Sequence, residues 1–368
     1  MSTPAVLDLP RLLEPISADR PVGVDLREDS SPRSTYYSIR DARNQARTAE
    51  RQAQMNGESP IGAGDWSPLI NGVPDILAGM TKDLEITAYL VEALARNKGF
   101  AGLRDGFHLL RELVSRYGDD IYPLPDEDGI ETRVAALTGL NGADGEGTLI
   151  NPIRNISLTE RAAGEYGSAS YEQALDIEHA SPEQRDRRIA QGAVSLTVLQ
   201  TAINDTSTEF LLQVWDDLKE CLAEYDLYEK AVDEKYGRDS PPTSNIRSAL
   251  NTCRDVLTTL AGDRIKGATP AAAPEATAAD NAAAPKKVVA ATGGFGPIQT
   301  REEAFKQLQE IAQYFRKTEP HTPITFAIEQ VVRWGKMPLP DLLRELIPDP
   351  SSVQQMFRLV GIPPNPQQ

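Results

Sequence analysis

The sequence contains few cysteines and no long apolar stretch. Among its 368 residues only Cys221 and Cys253 are cysteines, which is too few for a disulfide framework at this length and fits a reducing compartment. No run of about 18 apolar residues occurs, so no membrane span is predicted. The first residues, MSTPAVLDLPRLLEP, lack the basic and apolar regions of a secretory signal. We therefore expect a cytoplasmic protein.

Histidine is also scarce, and motifs for catalysis, metal binding or cofactor binding are missing. His108, His179 and His321 are far apart, and none lies in a metal-ligand spacing such as H-E-x-x-H. Nucleophile motifs and phosphate-binding loops are absent as well. The sequence therefore predicts no catalytic residues, no metal and no cofactor. The enzymatic alternative is a hydrolase that uses His321 with Glu319 or Glu329, and the place of His321 just before a helix start argues against it.

The chain has no excess of basic residues. It contains 38 Lys and Arg against 54 Asp and Glu, which gives a formal net charge of −16. Nucleic acids and anionic membranes bind basic surfaces, so neither is expected as the main partner. From Gly294 onward, eight Lys and Arg balance eight Asp and Glu, so the acidity lies upstream. A neutral final segment can stack on copies of itself without strong repulsion.

Strand patterns are rare, whereas helical periodicity runs through the chain. Residues 83–98 carry apolar residues at helical spacing, acidic residues in the first turn and basic residues in the last, and Gly99 suits a left-handed helix stop. A second apolar helix pattern follows over residues 100–117. We expect these helices to form a hairpin with a short connection, and the fold to be all-α, with several helical parts.

Two heptad patterns lie in the middle of the chain. Residues 211–232 and 246–260 place apolar side chains alternately three and four positions apart. The Pro-Pro turn between them predicts an antiparallel helix pair. Cys221 and Cys253 fall on these apolar seams, which predicts small core residues rather than reactive thiols.

A low-complexity stretch separates this region from the end of the chain. From about Gly267 to Gly294 the composition is dominated by Ala, Pro, Thr and Gly, which cannot form a core, so a flexible linker is predicted. Starts and stops of four short helices follow. The second of these helices is expected to begin at Pro323, after Thr322 as N-cap, and to end at Gly335.

The final helical segment is expected to oligomerise. A module of this size rarely stabilises itself with one core, and association with other copies is a common remedy. The helix that begins at Pro323 is apolar over more than one face, so one stripe can pack inside the module while the surplus contacts another subunit. The predicted oligomer interface consists of Phe326, Val332, Trp334, Met337 and Phe357.

An arginine-rich helix is predicted near the beginning, over residues 34–54. It has little apolar content beyond two tyrosines, one isoleucine and some alanines. One interpretation is a solvated helix. The other is a docking surface for an acidic partner, formed by Arg40, Arg43, Arg47 and Arg51.

Residues 23–52 and 65–142 resemble the ImpA-type N-terminal domain of the TssA proteins of bacterial type VI secretion systems. Within them, TKDLEITAYLVEAL and GFAGLRDGFHLL look like that domain's signature helical hairpin. Tyr122 stands where many relatives have Trp. Near the end, YFRKTEPHTPITFAIEQVVRWGKMPLPDLLREL is similar to the C-terminal segment of the shorter TssA subgroup.

The resemblance implies a non-enzymatic assembly scaffold. Such proteins form rings through the C-terminal domain, associate with the baseplate and help the contractile tail sheath to polymerise around its inner tube. The compact ending favours the baseplate-associated type, at the cytoplasmic face of the inner membrane; the alternative is a cap or stabiliser at the distal end of the sheath. The implied partners are other copies of the chain and the baseplate, sheath and tube proteins, without nucleic acid or membrane insertion.

The expected domain organisation has four parts. They are an ImpA-type helical domain over residues 1–160, a helical middle domain over 161–264, a flexible Ala/Pro linker over 265–297, and a helical ring-forming module over 298–368.

Overall fold

The computed structural model divides by its contacts into two compact units, Met1–Glu275 and Ala276–Gln368. The residues that it describes are 2–57, 59–127, 129–143, 145–190, 192–268, 301–318, 323–337, 341, 342 and 345. Within these ranges the chain forms helices, turns and isolated bridges but no β-strand, and the predicted all-α fold is confirmed. No helix in these ranges combines the length and the apolar character needed to cross a lipid bilayer.

The described part of the first unit contains eleven α-helices arranged around one central hairpin. Their bounds are α1 Leu9–Leu13, α2 Thr35–Met55, α3 Ser67–Gly79, α4 Leu84–Tyr117, α5 Glu131–Asn141, α6 Ile150–Arg154, α7 Ser168–Glu178, α8 Pro182–Ala190, α9 Leu196–Asp205, α10 Thr208–Tyr236 and α11 Ser244–Ala268. Helices α1, α3, α5, α6 and α10 all pack against α4, which makes α4 the centre of the unit.

Helix α4 is the predicted hairpin, and its connection is a single residue. Gly99 has φ 55° and ψ −137°, a conformation that costs glycine little and that other residues rarely adopt. Across this reversal the two halves of α4 pack closely, because a Cβ added to Gly106 would lie 2.9 Å from a methyl group of Val91. The hairpin is therefore confirmed, with a tighter turn than the sequence indicated.

Helix α10 packs along the C-terminal half of α4 and runs parallel to it. The Phe107 ring lies 4.7 Å from the Tyr225 ring and 5.9 Å from the Tyr228 ring, measured between centroids. All three side chains are buried. Ion pairs flank these rings at a constant sequence offset, Arg104–Glu220, His108–Glu224 and Asp119–Lys235. The constant offset shows that the two helices run in the same direction.

Helices α10 and α11 form the antiparallel pair that the two heptad seams predict. The hydroxyl of Tyr225 donates to the Thr243 carbonyl at 2.8 Å at one end. At the other end Arg264 donates to the Ile203 and Thr206 carbonyls. Both cysteines lie in the core of this pair with no exposed surface. Burial raises the pKa of the Cys253 thiol to about 12 and also raises that of the Cys221 thiol well above its usual range, as expected for core residues.

Several helix ends are capped by buried polar side chains that come from distant parts of the chain. Lys82 is fully buried, and its Nζ donates to the carbonyls of Leu12 in α1 and Leu77 in α3, both at 2.7 Å. Burial lowers the pKa of Lys82 to about 8. This ammonium thus joins the last turns of two helices, whose carbonyls have no partner within their own helix.

Helix α5 supplies two further caps. The guanidinium of Arg133 donates to the Gly118 and Asp119 carbonyls, just beyond the end of α4. The side-chain oxygen of Asn141 accepts from the backbone N–H groups of Asn245 and Ile246, in the first turn of α11. Both side chains are buried, so their polar atoms are paired as buried groups must be.

The first residues of the chain connect the hairpin to α10. The backbone N–H and the hydroxyl of Thr3 both donate to the carboxylate of Asp217 in α10, each at 2.6 Å. Asp105 in α4 accepts from the N–H groups of Val6 and Leu7. This segment therefore holds together helices that lie 98 to 214 positions apart from it in sequence.

The described part of the second unit is a helix pair, α12 Arg301–Thr318 and α13 Pro323–Lys336. Ala312 and Val332 are buried between the helices, and Arg316 pairs with Glu329 at 2.8 Å. The prediction that α13 ends at Gly335 is wrong, because the helix continues to Lys336. A Cβ at Gly335 would lie 2.1 Å from the Phe305 ring, so this glycine permits the close approach of α12.

The predicted domain boundaries stay predictions. The boundary at residue 160 lies inside the first compact unit, where α10 and α11 pack on helices of the ImpA-type segment. Most of the predicted linker and the last two predicted short helices lie wholly or largely outside the described residues.

Substitution of Phe107 should separate α10 from the hairpin. We expect Phe107→Ala to lower the free energy of unfolding by about 3–5 kcal/mol, because it removes a buried ring that contacts two tyrosines. Urea unfolding followed by circular dichroism measures this loss. The matched change on the solvent side of α10, Leu227→Ala at a side chain that is 46% exposed, should cost about 0.5 kcal/mol or less. Equal losses in the two variants would contradict the packing.

The buried ammonium of Lys82 should leave a trace in the pH dependence of stability. Its pKa is lower in the folded chain than in the unfolded one, so between about pH 8 and 10.5 the unfolded chain binds more protons and stability rises with pH. The unfolding free energy of wild type minus that of Lys82→Met should rise by about 1 kcal/mol from pH 7 to 9. Lys230→Met, at an exposed position, is the control; a flat difference for Lys82→Met would refute this.

Candidate functional site

The arginine-rich helix α2 is fixed to the hairpin by a ladder of charged pairs. The predicted helix is confirmed, with Ser34 as its N-cap, where the hydroxyl accepts from the N–H of Tyr37. Four ion pairs in three steps connect α2 or the turn before it to the N-cap and N-terminal half of α4: Arg27 with Asp83 and Glu85, Arg43 with Glu92, and Glu50 with Arg96. Because these pairs are largely buried, they set the position of α2 on the hairpin.

The first step of the ladder is a network at the beginning of α4. Arg27 donates to Asp83 at 2.6 Å and to Glu85 at 2.5 Å, and the hydroxyls of Tyr36 and Tyr89 also donate to Glu85. Burial raises the pKa of Asp83 although Arg27 opposes the shift. Burial also acts on Glu85, but the hydrogen bonds from Tyr89 and Arg27 outweigh it and lower the pKa of that carboxyl.

In the second step, Arg43 is paired inside the protein and is therefore not free to contact a partner. Glu92 is only 1% exposed, and its Oε1 accepts from Arg43 Nη2 at 2.5 Å and from the Thr148 hydroxyl at 2.9 Å. The Arg43 guanidinium also lies 4.3 Å from the centroid of the Tyr89 ring. Arg43 therefore compensates a buried carboxylate inside the protein, where loss of one partner of such a pair is costly.

The third step involves a buried tryptophan. Glu50 accepts from the indole N–H of Trp66 at 2.7 Å and from Arg96 at 2.6 Å. The Arg96 guanidinium lies 4.1 Å from the Trp66 ring centroid, in cation–π geometry. Both charges are thereby neutralised within the unit.

The other predicted docking arginines form no ion pair with a carboxylate among the described residues. Arg40 and Arg51 are exposed, and Arg47 is half-buried. Arg47 and Arg51 line an open cleft of about 550 Å³ together with Lys98, the last residue before the Gly99 turn. Lys98 is a candidate that the sequence interpretation missed, because only the hairpin reversal brings the end of one helix beside α2. Its position directly before Gly99 was the available signal.

The predicted oligomer interface divides into surface and core positions. Phe326 is 65% exposed, whereas Val332 is 5% exposed and fills the core of the α12–α13 pair. Trp334 and Met337 are half-buried, and the Trp334 indole N–H donates to Glu345 at 3.0 Å. Phe357 lies outside the described residues. Val331, which is 47% exposed, adds an apolar side chain on the outer face of α13.

Of the three residues that the hydrolase alternative names, the structure describes Glu329. His321 and Glu319 lie outside the described residues, and Glu329 is paired with Arg316. His108 contacts Glu224 at 3.3 Å on the α4–α10 interface. In the part of the chain that the structure describes, no group of three His, Cys, Asp or Glu side chains is arranged to hold a metal ion.

Comparison with known proteins gives consistent matches along the chain. The family model described as "ImpA, N-terminal, type VI secretion system" matches residues 13–142, from the end of α1 to just past α5. The type VI secretion system component TssA1 of Pseudomonas aeruginosa is 28% identical, over 96% of this chain and 98% of that protein.

A solved structure is also similar. It is the N-terminal domain, including the conserved ImpA_N region, of the TssA component of the type VI secretion system from Burkholderia cenocepacia. The TM-score is 0.59 with 26% sequence identity, and the match covers 72% of this chain and 98% of that one. Family model, full-length relative and solved fold agree, and they agree with the resemblance in the hairpin motifs. The resemblance is thereby confirmed: residues 13–142 match the ImpA-type N-terminal domain, and the chain is similar along its length to a TssA component of a type VI secretion system.

Proposed function

We propose that the chain is a non-enzymatic assembly scaffold of a type VI secretion system. The segment from residue 298 onward joins copies of the chain into a ring. The first unit then contacts the baseplate at the cytoplasmic face of the inner membrane, where the assembly promotes growth of sheath and tube. The observation that carries the proposal is the end-to-end similarity to TssA1, a type VI secretion system component, over 98% of that protein's length.

The outer face of α13 supports self-association. Phe326, Ala327 and Val331 are exposed on the side of the helix opposite the buried Thr325 and Val332. Removing apolar surface from water contributes about 25 cal/mol per Å², so a repeated contact through these side chains stabilises an oligomer. The formal charge of the segment from Gly294 onward is zero, which limits repulsion between copies.

The first unit supports a role in holding partners. The ion-pair ladder gives α2 a defined position, with Arg40 and Arg51 exposed on this helix and Arg47 half-buried. In a ring, several such units are presented together, so contacts that are weak for one copy become strong for the assembly. This arrangement suits a protein that must hold a polymerising structure and later release it.

A charge on the outer face of α13 should break the oligomer. We expect Phe326→Glu in the full chain to shift the mass in light scattering toward the 40.2 kDa of one subunit, because a buried carboxylate without a partner is costly. Leu227→Glu, at a 46% exposed position on α10, is the matched control and should leave the mass unchanged. An unchanged mass for Phe326→Glu would refute this interface.

We also expect Trp334→Ala to weaken the oligomer, as measured by the same light-scattering experiment.

The position of the protein in the cell during sheath growth distinguishes the baseplate role from the distal-end role. For the baseplate role we expect a fluorescent fusion to form a focus that stays at the cell envelope while the sheath extends. A focus that travels with the growing tip would instead establish the alternative, a distal-end cap or stabiliser. Time-lapse microscopy with a differently labelled sheath protein distinguishes the two outcomes.

A further inference from the structure

The cleft beside the Gly99 turn has the dimensions of a binding site. It is lined by the end of α2, the tip of the α4 hairpin, the residues around α6 and the beginning of α10. Its volume of about 550 Å³ lies within the range of about 300–1,000 Å³ that is typical of ligand sites. The cleft lies wholly within the first compact unit.

The basic side chains of this cleft differ in whether a carboxylate pairs with them. Arg96 is paired with Glu50, whereas no carboxylate among the described residues forms an ion pair with Arg47, Arg51 or Lys98. The Arg51 guanidinium donates to the neutral Thr48 hydroxyl at 3.1 Å. Three cationic residues from two different helices thus line the cleft without an ion-pair partner among the described residues.

Four carboxylates line the cleft, and three of them have polar partners within the protein. Glu50 is paired with Arg96, Asp217 accepts two hydrogen bonds from Thr3, and Glu146 accepts one from Asn151. The fourth, Glu165, is exposed to solvent. None of the four forms an ion pair with the three cations, which can therefore pair with an external anion.

Arg47 is the group with most to gain from such an anion. Burial lowers the pKa of Arg47, and the neighbouring charges of Arg43, Arg51 and Arg96 lower it further, against the attraction of Glu92. A half-buried guanidinium in this setting is poorly hydrated and repelled by its neighbours. A carboxylate that paired with it would relieve both effects and form charge-assisted hydrogen bonds.

The remaining groups favour a peptide over a nucleic acid. Gln54 and Asn97 present side-chain amides beside the cations, and amides bind peptide backbone through both their donor and their acceptor. A nucleic acid needs an extended basic surface, whereas the chain as a whole carries a net charge of −16. A short acidic segment places carboxylates on the cations without bringing a long polyanion against the acidic surface.

We propose that this cleft binds a short acidic peptide segment of a partner protein, with Arg47, Arg51 and Lys98 as the residues that contact its carboxylates. The inference rests on the proposed scaffold function, because it names the chemistry by which the first unit holds a partner. It also distinguishes these three residues from Arg43, which is paired with the buried Glu92 inside the protein.

Binding of fluorescein-labelled hexaglutamate to the full chain, followed by fluorescence anisotropy, tests the site. We expect the double variant Arg47→Gln/Arg51→Gln to bind at least about 10-fold more weakly than wild type, since a hydrogen bond to a charged group contributes about 1.5–3 kcal/mol. Lys98→Gln should weaken binding in the same direction. The double variant Arg187→Gln/Arg188→Gln changes the charge equally at exposed positions of α8 and should stay within about twofold of wild type.

Three results would overturn the proposal. They are the absence of hexaglutamate binding to wild type, an equal loss in the two double variants, and tighter binding of a labelled thymidine hexanucleotide than of hexaglutamate. Circular dichroism melting of each variant establishes that the fold is intact. Light scattering on the wild-type chain separates the two hypotheses: a wild-type oligomer that does not bind hexaglutamate defeats only the cleft, whereas a wild-type monomer that binds it defeats only the ring.

Discussion

The reversal of the chain at Gly99 is the constraint on which the rest of the first unit depends. A single residue with positive φ turns α4 back on itself, so its two halves pack in contact. The N-terminal half then faces α2 and carries the acidic or basic partner of each ion pair in the ladder. The C-terminal half faces α10 and provides Phe107 for the aromatic contact. The same turn places Lys98 beside Arg47 and Arg51.

Local patterns predicted the helices but not their distant contacts. The hairpin, the two heptad seams and the buried cysteines follow from apolar spacing, which depends on neighbours three or four positions away. The caps made by Lys82 and Asn141, and the parallel packing of α10 on α4, join residues far apart in sequence, for which no local pattern exists. Gly335 was interpreted as a helix stop because glycine often ends helices, whereas here it makes room for Phe305.

The candidate site was only partly predictable, because it too depends on contacts between residues far apart in sequence. The sequence shows the regularly spaced arginines of α2, but whether each one is paired internally or lines a cleft depends on the helix that faces it. Arg43 meets the buried Glu92 and becomes part of the structure, while Arg47 and Arg51 meet the hairpin tip and line a cleft. On α13, likewise, burial against α12 assigns Val332 to the core and leaves Phe326 outside. The charge ladder thus positions α2 on the hairpin, and the apolar outer face of α13 is the surface that we propose for association.

We propose that copies of this chain assemble through the C-terminal segment. Sedimentation equilibrium of the wild-type full chain over a wide concentration range is the decisive measurement. We expect a mass that is a fixed multiple of 40.2 kDa and larger than a dimer, maintained on dilution. A mass of 40.2 kDa at every concentration would contradict it.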